Sequence, residues 1–247
     1  MKGRHAEAWE ELARREPYFT VLDHEGCRGV DGNRFASAAF FETGEADISS
    51  LLSAIAVLCG GDIPLTSCLD FGCGAGRLTL PLARRATRVV ACDLAPTMLT
   101  HARRNAEDAG LGNVTFMEND ELAGLPDGRF EFVCSLLVLQ YIPPAAGYAI
   151  IRTLLRLLAP AGIAALHVAF ERRGGRLHRL ARMHRRTSRF ARRGAGLNPI
   201  RIHEYDERVV HRQIEVAGAH VIGRFPTRDG EMAGAVLIVR NSPHQAE

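Results

Sequence analysis

The run Cys68-Leu69-Asp70-Phe71-Gly72-Cys73-Gly74-Ala75-Gly76-Arg77 constrains this chain more than any other stretch. It sets three glycines at alternate positions where an apolar strand ends and a helix begins. A backbone turns that sharply, and admits a ligand that close to its main chain, only where no Cβ intrudes. About twenty residues on, a second apolar strand, Arg88-Val89-Val90-Ala91-Cys92, ends in Asp93. A glycine bend, a helix N-terminus and a downstream acid for a ribose hydroxyl pair are the parts of a nucleotide-type cofactor site.

Spacing separates the cofactors. A dinucleotide fingerprint wants glycines at its first, third and sixth positions, and the sixth position counted from Gly72 is Arg77. A pyrophosphate also needs a helix N-terminus free to accept an anion. Here Asp70 stands two residues ahead of the first glycine, which suits a cofactor with an ammonium end. Asp70-x-Gly72-x-Gly74-x-Gly76, followed by Asp93, resembles motif I and the next acid of class I S-adenosylmethionine-dependent methyltransferases.

The rest of the chain agrees with that resemblance. Strands at Ser67 to Phe71, Arg88 to Cys92, Val114 to Met117, Phe130 to Ser135 and Ile163 to Phe170 alternate with helices. The helices run from Arg77 to Arg85, from Pro96 to Gly110 and from Gly147 to Leu158. Alternation of this kind argues for a parallel sheet covered on both faces. The alternation then stops. After a helix from Asp206 to Ala217, the strands Ala219 to Ile222 and Ala235 to Val239 have only a loop between them, Pro226 to Gly230. Such a pair is antiparallel. The resemblance implies a doubly wound α/β fold with seven strands, mostly parallel, whose last strand is antiparallel and inserted beside the fifth. Residues 1–62 read as an N-terminal helical cap, with one helix over His5 to Glu16 and another starting at Asp47 as its N-cap. Residues 63–247 read as the cofactor-binding domain, with an insertion at 171–204 after the fifth strand.

Position by position, the resemblance implies that Gly72, Cys73, Gly74 and Gly76 pass under the methionine and ribose parts of S-adenosylmethionine. Asp70 orients the amino end and Asp93 the ribose hydroxyls. Leu94 and Met98 flank the adenine face, Asn119, Asp120 and Glu121 fall where its amino group is read, and Leu136 passes the sulfonium. Each also has an ordinary reading: Asp70 as a brace of the turn, Asp93 as a helix cap, Met98 as core. The catalytic residues are less defined. Gln140 and Tyr141 stand where many small-molecule members carry histidine, and His167 lies near the end of the fifth strand. These three are the candidates for handling the acceptor, with His24, His203 and Tyr205 also able to reach the cleft.

The chain has 247 residues, 47% hydrophobic and 24% charged, as expected of one large globular unit. Six scattered cysteines show no metal-ligand spacing, and no stretch reads as a signal peptide or membrane span. A cytoplasmic monomer or homodimer without a metal, forming S-adenosylhomocysteine as product, is the expectation. Net charge of +3 conceals ten arginines between Arg172 and Arg193, where no acid occurs. Seven of them recur every three or four residues, as on one stripe of a helix. That segment reads as a solvated face, as a patch for an anionic small molecule or carrier, or, least favoured, as a nucleic-acid surface. The expected reaction is methyl transfer to oxygen, nitrogen or carbon of a small, anionic or natural-product acceptor. The alternatives are a peptide, carrier-bound or nucleic-acid acceptor, and a nicotinamide-dependent oxidoreductase.

Overall fold

The computed structural model describes residues 4–18, 34–172, 201–229 and 232–242. The arginines beyond Arg172, most of the 171–204 segment and His24 lie outside them. Strands β1 (Ser67–Phe71), β2 (Arg88–Asp93), β3 (Val114–Glu118), β4 (Phe130–Ser135), β5 (Leu158–Arg172), β6 (Ala219–Asp229) and β7 (Met232–Asn241) form one sheet. Their order is β3-β2-β1-β4-β5-β7-β6. The parallel pairs are β1 with β2, β1 with β4, β2 with β3 and β4 with β5. β7 lies antiparallel to both β5 and β6, so it alone opposes the rest. This is the doubly wound arrangement with an inserted antiparallel last strand that the resemblance implies.

Helices α1 (Arg4–Arg15), α2 (Arg34–Cys59), α3 (Thr79–Ala83), α4 (Pro96–Asp108), α5 (Pro144–Arg156) and α6 (Glu207–Val216) flank the sheet. Every residue of β1 is buried, as a central strand between two helical layers requires. On one face Ile151, Leu154 and Ile214 of α5 and α6 pack on Phe71, Val133 and Leu166. On the other, Ile48, Leu51 and Ile55 of α2 join Leu82 of α3 against Phe132 and Ile163. Helix α2 therefore belongs to the packing of the sheet itself.

Three local expectations are corrected. Asp47 does not cap a helix: α2 is continuous from Arg34 to Cys59. Gly44, ahead of the expected start, lies within it where a Cβ would fall 2.0 Å from the Arg77 carbonyl oxygen. The glycine lets the helix press on the bend, and Asp47, a turn further on, meets the Arg77 guanidinium at 2.6 Å. Second, β6 runs through Pro226 to Asp229. It is the edge of the sheet, where a residue without an N–H removes no obligatory ladder bond. Third, β5 begins at Leu158, with an irregularity before Ile163 that absorbs Pro160 and Ala161.

Candidate active site

Three elements meet at the glycine bend. The N–H groups of Gly72 and Cys73 both donate to the Cys92 carbonyl oxygen, at 2.8 and 2.9 Å, and tie the bend to the end of β2. Gly72, Gly74 and Gly76 have φ of 78°, 53° and 93°, a region that side chains disfavour. Space is short as well, since a Cβ on Gly72 would stand 2.4 Å from Val138. Asp93 closes the bend from below: one carboxylate oxygen accepts the Gly74 N–H and the other the Ala95 N–H, each at 2.9 Å. Burial raises its pKa although these N–H groups favour the charge.

Asp70 is 1% exposed at the end of β1 and accepts the Thr79 hydroxyl at 2.6 Å. Burial pushes its carboxyl up to about 6, against the pull of Thr79 and Arg77. Arg77 is buried and donates to Asp47 at 2.6 Å and to the Thr43 hydroxyl at 3.3 Å. It thus locks α2 onto the bend.

Asp70, Gly72, Cys73, Gly74 and Asp93 line one side of a pocket, with Leu94 and Met98 beside them. Asn119 and the segment Leu136 to Val138, which leaves β4, form the other side. The Asn119 side-chain oxygen is buried and has no donor among the described residues. A buried acceptor without a partner is rare in a native fold and calls for a ligand or water N–H or O–H. The roof comes from α1: His5 and Trp9 line the pocket, and Trp9 packs edge-on against Tyr141 at 5.2 Å between centroids. The Trp9 indole N–H donates to His5 Nε2 at 3.2 Å, and burial lowers the His5 pKa. The Glu10 carboxylate accepts from the Thr97 N–H at 3.2 Å and from its hydroxyl, fastening α1 to the start of α4.

Comparison with known proteins points the same way as the pocket. Residues 68–162 match the family model described as a methyltransferase domain. That stretch spans the glycine bend and four of the parallel strands, so the methyltransferase likeness falls on the segment that builds the pocket. It is similar to the ubiquinone biosynthesis O-methyltransferase of Methylocella silvestris, 39% identical over 95 residues, 38% of this chain and 36% of that protein. It is similar also to the enzyme of that name from Xanthomonas euvesicatoria, 35% identical over 95 residues, 38% of this chain and 39% of that one. The alignments thus span little more than a third of these relatives. Among solved structures it resembles the magnesium protoporphyrin IX methyltransferase of Synechocystis PCC 6803 with bound SAH. The TM-score is 0.60 at 24% identity, covering 94% of this chain and 100% of that one. At this identity the likeness is one of fold.

Around the pocket, most residues expected at the cofactor come together, and several do not. Gly76 faces away, its missing Cβ 3.0 Å from Leu80. Asp120 and Glu121 are exposed, and neither lines the pocket. They lie on the short 3-10 turn Asn119–Gly124, whose capping box is closed by the Glu121 carboxylate accepting the Glu118 N–H at 2.7 Å. Tyr141 lines the pocket, but Gln140 is buried beside it, its carbonyl accepting the His203 N–H at 2.7 Å. Tyr205 lies in the core, in space that Gly147 leaves open. Its hydroxyl is 2.9 Å from the Leu139 and Ile142 carbonyl oxygens, and burial pushes its pKa well above the usual phenol value.

His167 lies in the wall of a second cavity. Its Nδ1 accepts the Leu137 N–H at 3.3 Å, and its Nε2 is 2.8 Å from the Thr227 hydroxyl. Accepting at Nδ1 places the ring proton on Nε2, so this geometry is that of a neutral imidazole. Three contributors were not singled out as site residues, although two of them fall in the expected cap helix. His5 and Trp9 carry no motif, and Arg77 signalled only that the glycine spacing was wrong for a dinucleotide. No group of three or more His, Cys, Asp or Glu side chains among the described residues is placed to hold a metal.

Proposed function

We propose that this chain transfers a methyl group from S-adenosylmethionine to oxygen, nitrogen or carbon of a small-molecule acceptor. The observation that carries the reading is one pocket in which a bare bend, the buried Asp70 and half-buried Asp93 carboxylates and the orphaned Asn119 oxygen converge. Asp70 would take the ammonium end, and Asp93 the ribose hydroxyls with the lone pairs not used by Gly74 and Ala95. Asn119 would accept from the adenine amino group, between Leu94 and Met98. When bound, the donor supplies a methyl carbon made electrophilic by a positively charged sulfur. What the protein adds is position: rigid placement of two reactants accounts for much of the rate in a transfer that creates no new charge. Trp9 and Tyr141 would keep water out, and His5, whose Nε2 accepts the Trp9 N–H and whose pKa burial lowers, would add no competing cation. We read residues 1–62 as the cap of this site, with α1 as its roof and α2 as the part that anchors it on the sheet, and the protein as a cytoplasmic monomer or homodimer. Among the described residues no helix is long and apolar enough to cross a membrane.

Calorimetry with S-adenosylhomocysteine and with NADH tests the reading. S-adenosylhomocysteine should bind and NADH should not. Asp93→Ala should weaken the former by about 1.5–3 kcal/mol, the range for hydrogen bonds to a charged group. Because Asp93 also braces the bend, the variant is read beside its thermal midpoint. NADH binding alone, or an unchanged Kd in a folded Asp93→Ala, would refute the reading.

A further inference from the structure

A second cavity of about 380 Å³ opens between α2 and the β5-β7-β6 side of the sheet. That size falls in the range of small-molecule sites, about 300–1,000 Å³. Most of its surface is apolar, from Leu51 and Ala54 of α2, Leu136 and Leu137 after β4, Phe225 of β6 and Val236 of β7. Phe225 is 37% exposed, an aromatic ring left at the surface where it borders the cavity. The charged groups in the lining are Asp47, Arg77 and Arg228. Asp47 and Arg77 neutralise each other, which leaves the positive charge of Arg228 on an exposed position of β6.

This cavity touches the cofactor pocket. Arg77, Leu136 and Leu137 line both. The partition they form is a built feature. Leu137 has φ of +62°, a strained conformation for a side-chain-bearing residue that persists only where neighbours enforce it. His167 is that neighbour, taking the Leu137 N–H on Nδ1 while Thr227 of β6 holds its other nitrogen. The β5 and β6 wall is thus fastened to Leu137, and the α2 wall is fastened through Asp47 to Arg77, the other residue the two spaces share.

We propose that this cavity is the acceptor chamber, and that it takes a largely apolar small molecule bearing one anionic group set against Arg228. The proposal deepens the methyltransferase reading and rests on it. The acceptor's apolar body lies on Phe225, Leu51 and Val236, with its reacting atom toward the Leu136-Leu137 partition. His167 is a positioning residue there: with its ring nitrogens engaged by Leu137 and Thr227, it shapes the partition and takes no proton from the acceptor.

The test uses the full chain and a matched pair of probes, 2-naphthoate and its neutral isostere 2-naphthamide, titrated by calorimetry. Naphthoate should bind, and naphthamide about fivefold more weakly, as expected for a partly exposed ion pair. Arg228→Gln should bring the two to the same affinity. Ala54→Phe fills the cavity and should abolish both, and Ser50→Phe, on the exposed side of α2, should do so if the first variant does not fold. S-adenosylhomocysteine affinity, followed by the fluorescence of Trp9, should change less than twofold in all three variants. Equal binding of the two probes, no binding of naphthoate, or naphthoate binding that survives Phe at 50 or 54 would overturn the chamber. Loss of the Trp9 response in the wild type would instead count against the methyl-donor reading, since naphthoate binding is measured without it.

Discussion

Asp70 shows how a single residue sets function against stability. Its carboxyl is nearly inaccessible at the end of β1, and burial raises it to about 6, whereas an aspartate in an unfolded chain titrates near 3.9. Between those values the folded state binds more protons than the unfolded state, so stability falls as pH rises from about 4 to about 6. Above that window the ionised group costs the fold about 2–3 kcal/mol, which a bound ammonium would offset. Asp70→Asn keeps an oxygen for the Thr79 hydroxyl and cannot ionise. It should therefore raise the urea midpoint at pH 7.5, with a gain that vanishes near pH 4. The same variant should weaken S-adenosylhomocysteine binding by more than tenfold. An Asn variant less stable at pH 7.5 would show that the carboxylate is compensated within the protein, and that Asp70 is there as a brace.

Among the elements, α2 ties the cap to the bend, and Gly44 makes the contact possible. In an isolated helix, replacing glycine by alanine stabilises by about 1 kcal/mol. Here the added Cβ would stand 2.0 Å from the Arg77 carbonyl oxygen, a backbone atom that cannot swing away. Gly44→Ala should therefore destabilise, by the 1–3 kcal/mol typical of overpacking. It should also loosen the Arg77–Asp47 pair and lower cofactor affinity. A thermal midpoint that rises would mean that α2 shifts freely and that the contact is incidental. The same element shows what the sequence can and cannot convey. Strand one, strand two, the bend and Asp93 were legible because their signals are local: an apolar run, three glycines, an acid at fixed spacing. Asp47 was misread as a cap because its partner, Arg77, lies thirty residues away in sequence. Pro226 was misread as the start of a loop because nothing local says that β6 is at the edge of the sheet. The cost was real, since Phe225, Thr227 and Arg228 of the second cavity all flank that proline.

At the scale of the whole molecule, the parallel order and the inverted β7 follow from alternation and from the short β6–β7 connection, both readable along the chain. A cap was expected; what could not be read is which contacts hold it, because they join distant segments. Helix α1 reaches the site through two attachments, the Glu10 carboxylate on the Thr97 N–H and hydroxyl and the Trp9 ring on Tyr141. Glu10 caps the start of α4, a helix with no side-chain cap of its own. Removing it with Glu10→Ala should cost about 1 kcal/mol, as loss of an N-cap does. It should also free the end of α1 that carries the roof. Trp9 is the only tryptophan, so its emission reports that roof directly. In the variant the free protein should emit further to the red, as the indole meets water. S-adenosylhomocysteine should leave several-fold faster in stopped-flow displacement, with its association rate little changed. A helix that merely decorates the domain would lose the stability and leave the dissociation rate where it was. The two rates measured together therefore decide whether α1 closes the site or only rests on it.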